Sequence, residues 1–166
     1  MKFKNIFLFF LILVNLEANS QAVNSKAFDI MLCTLLSKTT PLVDIYAIEG
    51  LTDYQVLDAR EKNEFDVSHL NNAIWVGYDD FNLSRVSNLN KQKPVLIYCS
   101  VGYRSEKIAE KLLAEGFEDV YNLYGGIFEW ANAGKPVYRN KQEVDSVHAY
   151  DKVWGVWLNI DEKVYE

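Results

Sequence analysis

Cys99 and Arg104 enclose four residues, Ser100-Val-Gly-Tyr103, within Val95-Leu-Ile-Tyr-Cys-Ser-Val-Gly-Tyr-Arg-Ser105. A thiol reacts as its thiolate, and the thiolate is favoured where free backbone N–H groups and a helix N-terminus face it. Consecutive amides in a tight turn also form an anion-binding nest. Gly102 permits the backbone angles that such a turn needs. Arg104 offers a planar fork for an oxyanion, and Ser105 is placed to cap the helix that follows. The bland reading, a buried cysteine at a strand end, does not explain glycine, arginine and serine at these spacings. The stretch therefore points to cysteine chemistry on an anionic substrate. Cys99 is the candidate nucleophile, and Ser100, Val101, Gly102, Tyr103, Arg104 and Ser105 form the candidate cradle.

The surrounding pattern must position that loop. Leu42-Val-Asp-Ile45, Tyr54-Gln-Val-Leu57, Ala73-Ile-Trp-Val76, Val95-Leu-Ile-Tyr98 and Val120-Tyr-Asn-Leu123 read as strands. Residues 61–66, 104–115 and 126–132 read as helices; Ile108, Leu112 and Leu113 give the second a buried stripe, and Gly116 stops it. Strands alternating with helices, and apolar throughout, imply a mostly parallel sheet covered on both faces. Ligands bind such sheets at the carboxyl ends of the strands, where Cys99 lies.

Outside this unit, residues 1–20 carry Lys2 and Lys4, then Ile6-Phe-Leu-Phe-Phe-Leu-Ile-Leu-Val14, then small and polar residues. That is the pattern of a secretory signal peptide, with cleavage expected after Ser20 or after Ala22. The apolar run is shorter than the roughly 18 residues that a membrane span needs, so the mature form is not expected to be membrane-bound. Residues 23–40 read as a helical lead-in, with Ala27, Phe28, Ile30, Met31, Leu32, Leu35 and Leu36 at helical spacing, ended at Thr40-Pro41. Cys33 falls in that stretch and reads as a small buried hydrophobe, with a disulfide to Cys99 as the functional alternative. Residues 140–166 form a tail with Tyr150, Trp154, Trp157 and Tyr165, expected to pack on the domain because exposed aromatic patches are costly.

Composition narrows the function. The 166 residues are 49% hydrophobic, which supports one core rather than two. Net charge is −6; removal of residues 1–20 takes two lysines and one glutamate and leaves −7. An acidic surface argues against nucleic acid and against an anionic membrane face. Two cysteines make no disulfide scaffold, and His69 and His148 have no zinc spacing. No metal or organic cofactor is implied. An export signal with so few cysteines suits a bacterial periplasm or secretion.

Residues 54–138 resemble a rhodanese domain, a single-domain sulfurtransferase. The resemblance rests on Val56-Leu-Asp-Ala-Arg-Glu61, Glu64-Phe-Asp-Val-Ser-His-Leu-Asn-Asn-Ala-Ile74, the Cys99 loop, and Leu123-Tyr-Gly-Gly-Ile-Phe-Glu-Trp130. It implies an α/β domain over residues 42–139, with a five-stranded parallel sheet flanked by helices on both faces. It also implies that Cys99 takes a sulfane sulfur from a small anionic donor such as thiosulfate, or from a persulfide. The sulfur is then passed to a thiol, sulfite, cyanide or protein acceptor. Asp58 and Arg60 match the family's Asp-x-Arg and read as an ion pair bracing the loop. His69 matches a family histidine and reads as a structural hydrogen-bonding residue. Gly125, Gly126 and Trp130 match a close turn and a packing position. The family's glycine in the histidine segment is absent here, where Ser68 precedes His69 and Asn72 precedes Ala73.

Two other readings stay open. Related folds include cysteine-dependent phosphatases and arsenate reductases, but the phosphatase pattern has five residues between cysteine and arginine. The six-residue loop Cys99–Arg104 makes a smaller cradle, suited to one sulfur atom carried on the cysteine. A binding module that keeps the fold without turnover is the other rival, and the retained Cys99 argues against it.

Overall fold

The computed structural model describes residues 23–165. The proposed signal peptide lies outside the described residues. Among the described residues no helix is long and apolar enough to cross a membrane.

Five short strands build the central sheet: β1 (Leu42–Val43), β2 (Gln55–Asp58), β3 (Ile74–Trp75), β4 (Val95–Tyr98) and β5 (Val120–Leu123). All are parallel, in the order β1-β5-β4-β2-β3. β4 is the central strand, and all four of its residues are buried. Its side chains alternate between two cores, as the period of a strand requires. Leu96 and Tyr98 join Phe28, Leu32, Leu123, Ile127 and Phe128 on one face. Val95, Ile97 and Cys99 join Leu57, Ile108, Leu112 and Val120 on the other. Both faces are therefore covered, and the expected α/β architecture is the one observed.

Among the described residues four helices flank the sheet: α1 (Lys26–Leu35), α2 (Lys62–Val67), α3 (Tyr103–Ala114) and α4 (Gly126–Asn132). α1 is capped by Ser25, whose hydroxyl accepts from the Phe28 N–H. It ends at Leu35, five residues before Thr40: the Leu36 N–H still reaches the Leu32 carbonyl, but the amides beyond it turn to another partner. Ser37 and Thr39 both donate to the buried Glu106 carboxylate, at 3.0 Å each. The buried stripe of α1 is Phe28 and Leu32. Ile30 and Cys33 are exposed, against expectation, because they sit on the opposite side of that stripe. Cys33 and Cys99 are both free thiols; Cys33 lies beside the Tyr124 hydroxyl and the Lys38 ammonium instead.

After α4 come the hairpin β6 (Val137–Arg139) and β7 (Gln142–Val144), then β8 (Val147–His148) paired parallel with β9 (Lys163–Val164). A short 3₁₀ turn, Trp154–Trp157, follows Asp151, whose side chain accepts from the amides of Val153 and Trp154. Trp157 stacks on Phe28 of α1 with ring centroids 5.5 Å apart. The tail thus returns to the lead-in helix on the sheet face that carries α4.

Candidate active site

Cys99 lies one residue past the end of β4 and is 1% exposed. The chain then turns through Gly102, which has φ +117 and serves as the cap residue of α3. Only a residue without Cβ adopts that angle freely. The Gly102 N–H donates to the Cys99 Sγ at 3.1 Å. The first intrahelical bond runs from the Glu106 N–H to the Gly102 carbonyl, so the amides of Tyr103, Arg104 and Ser105 precede it and have no helical acceptor. The loop is also held from behind. Ile127 and Phe128 of α4 donate to the carbonyls of Cys99 and Ser100 at 3.0 and 3.1 Å. This contact explains Gly126, which has φ +57: a Cβ there would lie 2.4 Å from the Cys99 carbonyl oxygen.

Two expectations for the loop are corrected. α3 starts at Tyr103, and Ser105 is not its cap. The Ser105 hydroxyl donates instead to the Asn122 side-chain oxygen at 2.7 Å, while the Asn122 amide donates to the Gly102 carbonyl. Nor is the Arg104 fork open to an incoming oxyanion. Its Nη1 donates to Glu64 Oε2 at 2.6 Å and its Nη2 to Glu64 Oε1 at 2.8 Å. Nη2 also donates to the Ser100 hydroxyl, which in turn donates to Glu64 Oε1. The Tyr150 ring lies against the same guanidinium, 5.1 Å from centroid to charge centre.

Burial would discharge both partners, and the pair resists it. Burial raises the Glu64 pKa, but the hydrogen bonds and charge of Arg104, with Arg60 and the Glu61 amide, hold it below the ordinary 4.5. Burial lowers that of Arg104, but Glu64 and the nearby Cys99 charge hold it above the ordinary arginine value. Glu64 also accepts from the Glu61 N–H in a capping box at the start of α2. One carboxylate thus ties the helix after β2 to the loop after β4.

Asp58 and Arg60 form a second, fully buried pair. Arg60 donates to Asp58 through Nε and Nη2, at 3.0 and 2.6 Å, and to the Ser68 carbonyl at 2.6 Å. The Tyr98 hydroxyl donates to Asp58 at 2.6 Å and accepts from the Leu70 N–H. His69 exchanges two backbone hydrogen bonds with Tyr138 and stacks on Phe65. None of Asp58, Arg60 and His69 lines the cleft over Cys99. They brace the turns that carry Glu64 and the β4 end.

That cleft has a volume of about 310 Å³. The loop lines it with Cys99, Ser100, Val101, Tyr103 and Arg104, and Glu61, Tyr78 and Asp79 line it as well. Leu35 of α1 and Tyr150 and Trp154 of the tail complete the lining. Sequence reasoning missed Glu64, although Glu61 and Glu64 at capping-box spacing mark a helix start. It also missed His148, which is buried behind the site. Its Nδ1 accepts from the Tyr150 N–H at 3.0 Å, and its charge state feels Glu64, Arg60 and Arg104.

Comparison with known proteins agrees with this geometry. A family model for the rhodanese-like domain matches residues 44–133. The thiosulfate sulfurtransferase GlpE of Coxiella burnetii is 32% identical over 78 residues, covering 47% of this chain and 72% of that protein. A tRNA uridine(34) hydroxylase of Cytophaga hutchinsonii is 38% identical over 88 residues, which cover 51% of this chain but only 28% of the hydroxylase. Among solved structures, the BH2092 protein of Bacillus halodurans shares the fold with a TM-score of 0.56 and 23% identity, over 72% of this chain and 88% of that one.

Proposed function

The chain belongs to the rhodanese-like sulfurtransferase family, and from that premise we propose that Cys99 carries a sulfane sulfur as a persulfide between a donor and a thiophilic acceptor. The Cys99 thiolate attacks the donor's outer sulfur. The donor's S–S bond breaks, and its electron pair leaves with the remainder of the donor. An acceptor nucleophile then attacks the outer sulfur of the persulfide and restores the thiolate. The observation that carries this reading is the Cys99 Sγ receiving the Gly102 N–H just ahead of three amides without helical acceptors. Those amides are placed to stabilise a second sulfur and its charge.

The bidentate engagement of Arg104 by Glu64 favours sulfur over phosphate. A phosphatase or arsenate reductase needs that fork for the oxyanion. The likeness to the tRNA uridine(34) hydroxylases covers between 25% and 37% of their length, so we read it as a shared domain. Net charge also weighs against a nucleic-acid substrate. We further propose export, supported by the basic and apolar pattern of residues 1–20.

The test is intact-mass analysis after incubation with thiosulfate or a low-molecular-mass persulfide. The wild-type protein should gain one sulfur atom and lose it again to cyanide as thiocyanate. Cys99→Ser should gain none. Thiocyanate production that survives this substitution would refute the mechanism, and release of phosphate from an aryl phosphate without sulfur loading would favour the phosphatase reading.

A further inference from the structure

The cleft over Cys99 is larger and more acidic than an inorganic sulfur anion needs. Its 310 Å³ falls at the lower end of the roughly 300–1,000 Å³ of organic-ligand pockets, and an ion the size of thiosulfate would leave most of it to water. Leu35, Tyr78, Val101, Tyr103, Tyr150 and Trp154 supply its apolar surface. The formal charges on its walls are the Glu61 and Asp79 carboxylates and Arg104, and Arg104 is already paired with Glu64. A dianion entering here meets two carboxylates and no unpaired side-chain cation among the lining residues.

Three of those apolar residues, Leu35, Tyr150 and Trp154, lie outside the matched domain, residues 44–133. They are fixed in place. Tyr150 sits at φ +67, a left-handed conformation that a tyrosine adopts only under constraint. The constraint is the hydrogen bond from its N–H to the buried His148. The ring is thereby laid against Arg104. Trp154 begins the 3₁₀ turn and donates its N–H to the Asp151 carboxylate at 2.8 Å, and Trp157 anchors that turn to Phe28. The flanking segments thus roof the family's loop with an aromatic wall.

We propose that Tyr150 and Trp154 are specificity-determining residues that select an organic sulfane donor bearing an apolar, aromatic-sized substituent over inorganic thiosulfate. The inference rests on the persulfide chemistry assigned to Cys99. In the step itself, a donor R–S–SH meets the Cys99 thiolate. The new bond joins Sγ to the outer sulfur, the donor's S–S bond breaks, and R–S⁻ leaves with the electron pair. The products are R–S⁻ and the Cys99 persulfide, and the proton stays on the transferred sulfur. The wall holds R, and the loop amides face the sulfur.

Benzenethiosulfonate and methanethiosulfonate test this, because they share charge and reacting group and differ in the ring alone. Thiosulfate is the third donor. The readout is the ratio of kcat/KM for benzenethiosulfonate over methanethiosulfonate, with cyanide as acceptor. The expected ratio is about tenfold or more in the wild type, the range one well-packed apolar contact set provides. Trp154→Ala and Tyr150→Ala should bring it down about tenfold, while Trp154→Phe, which keeps an aromatic wall, should retain it. A wild-type ratio near one, or thiosulfate as the preferred donor, overturns the proposal. So does a ratio unchanged in both alanine variants, since a merely structural loss lowers both donors together. If none of the three donors adds sulfur to Cys99, the sulfurtransfer reading falls first, and this one with it.

Discussion

The Arg104 guanidinium is closed onto the Glu64 carboxylate by hydrogen bonds of 2.6 and 2.8 Å, across 40 residues of sequence. Glu64 is 1% exposed and Arg104 13%. An arginine that opens an anion-binding loop would ordinarily be the substrate's anchor. Here it serves as a strut between α2 and α3, and the loop relies on its amides for polarity.

Glu64→Gln should therefore destabilise the fold, because it leaves a largely buried guanidinium without its counter-charge. The expected loss is about 3 kcal/mol in denaturant unfolding, the range found when one partner of a buried pair is removed. The same variant frees part of the Arg104 fork, so its KM for thiosulfate should fall below that of the wild type. A variant as stable as the wild type would show that Arg104 is not held in this way.

Gly126→Ala should damage both the fold and the reaction. The added Cβ would sit 2.4 Å from the Cys99 carbonyl oxygen and 2.6 Å from that of Ser100, at a φ of +57. Backbone strain of this kind costs about 1–3 kcal/mol before the clash is relieved. Relief requires the Cys99 loop to move away from α4. Stability should fall by at least about 2 kcal/mol, and sulfur loading of the refolded variant should slow. Loading at the wild-type rate would mean that α4 does not set the loop's position.

Much of this arrangement is legible in sequence, and the remainder has a common physical origin. The strand at Val95–Tyr98 and the helix at Tyr103–Ala114 follow from an apolar run and a 3.6-residue stripe, both local signals. The Asp58–Arg60 pair is two residues apart and equally local. The Arg104–Glu64 pair is not, because nothing in either segment says which carboxylate reaches the guanidinium. Cys33 shows the converse limit. A cysteine among apolar neighbours looks buried until the helix's phase against the sheet is known, and that phase is set by Phe28 and Leu32. The tail is least legible of all. The left-handed Tyr150 and its bond to His148 depend on where β8 docks against α2.

Tyr98→Phe separates the bracing network from the chemistry. The hydroxyl donates to Asp58 and accepts from the Leu70 amide, all of them buried. Its removal leaves the buried Leu70 N–H without a partner and the Asp58 oxygen with its Arg60 bonds alone, at about 1–3 kcal/mol. The thermal midpoint should drop accordingly. The mass gain of one sulfur on Cys99 should persist, because Tyr98 points into the sheet face opposite Cys99. Loss of loading without loss of stability would assign Tyr98 a more direct part than bracing.

The pH dependence of stability should show His148. Burial pushes its pKa below the ordinary 6.5, the Arg60 and Arg104 charges add to that effect, and Glu64 opposes it. A histidine depressed in the fold is neutral there while its unfolded counterpart still takes up a proton. Below about pH 6.5 the unfolded chain binds more protons, so stability is full above that pH and is lost as pH falls. Glu64 acts in a separate, lower window. Its depressed pKa gives stability that is present above its ordinary 4.5 and is lost only below it. Urea unfolding between pH 7.5 and 5 should therefore show a midpoint that declines with acid in the wild type. His148→Asn keeps an acceptor for the Tyr150 N–H but does not titrate, so its midpoint should stay nearly level over the same range. A wild-type midpoint that is flat from pH 7.5 to 5, or a decline that His148→Asn shares in full, would remove His148 from this role.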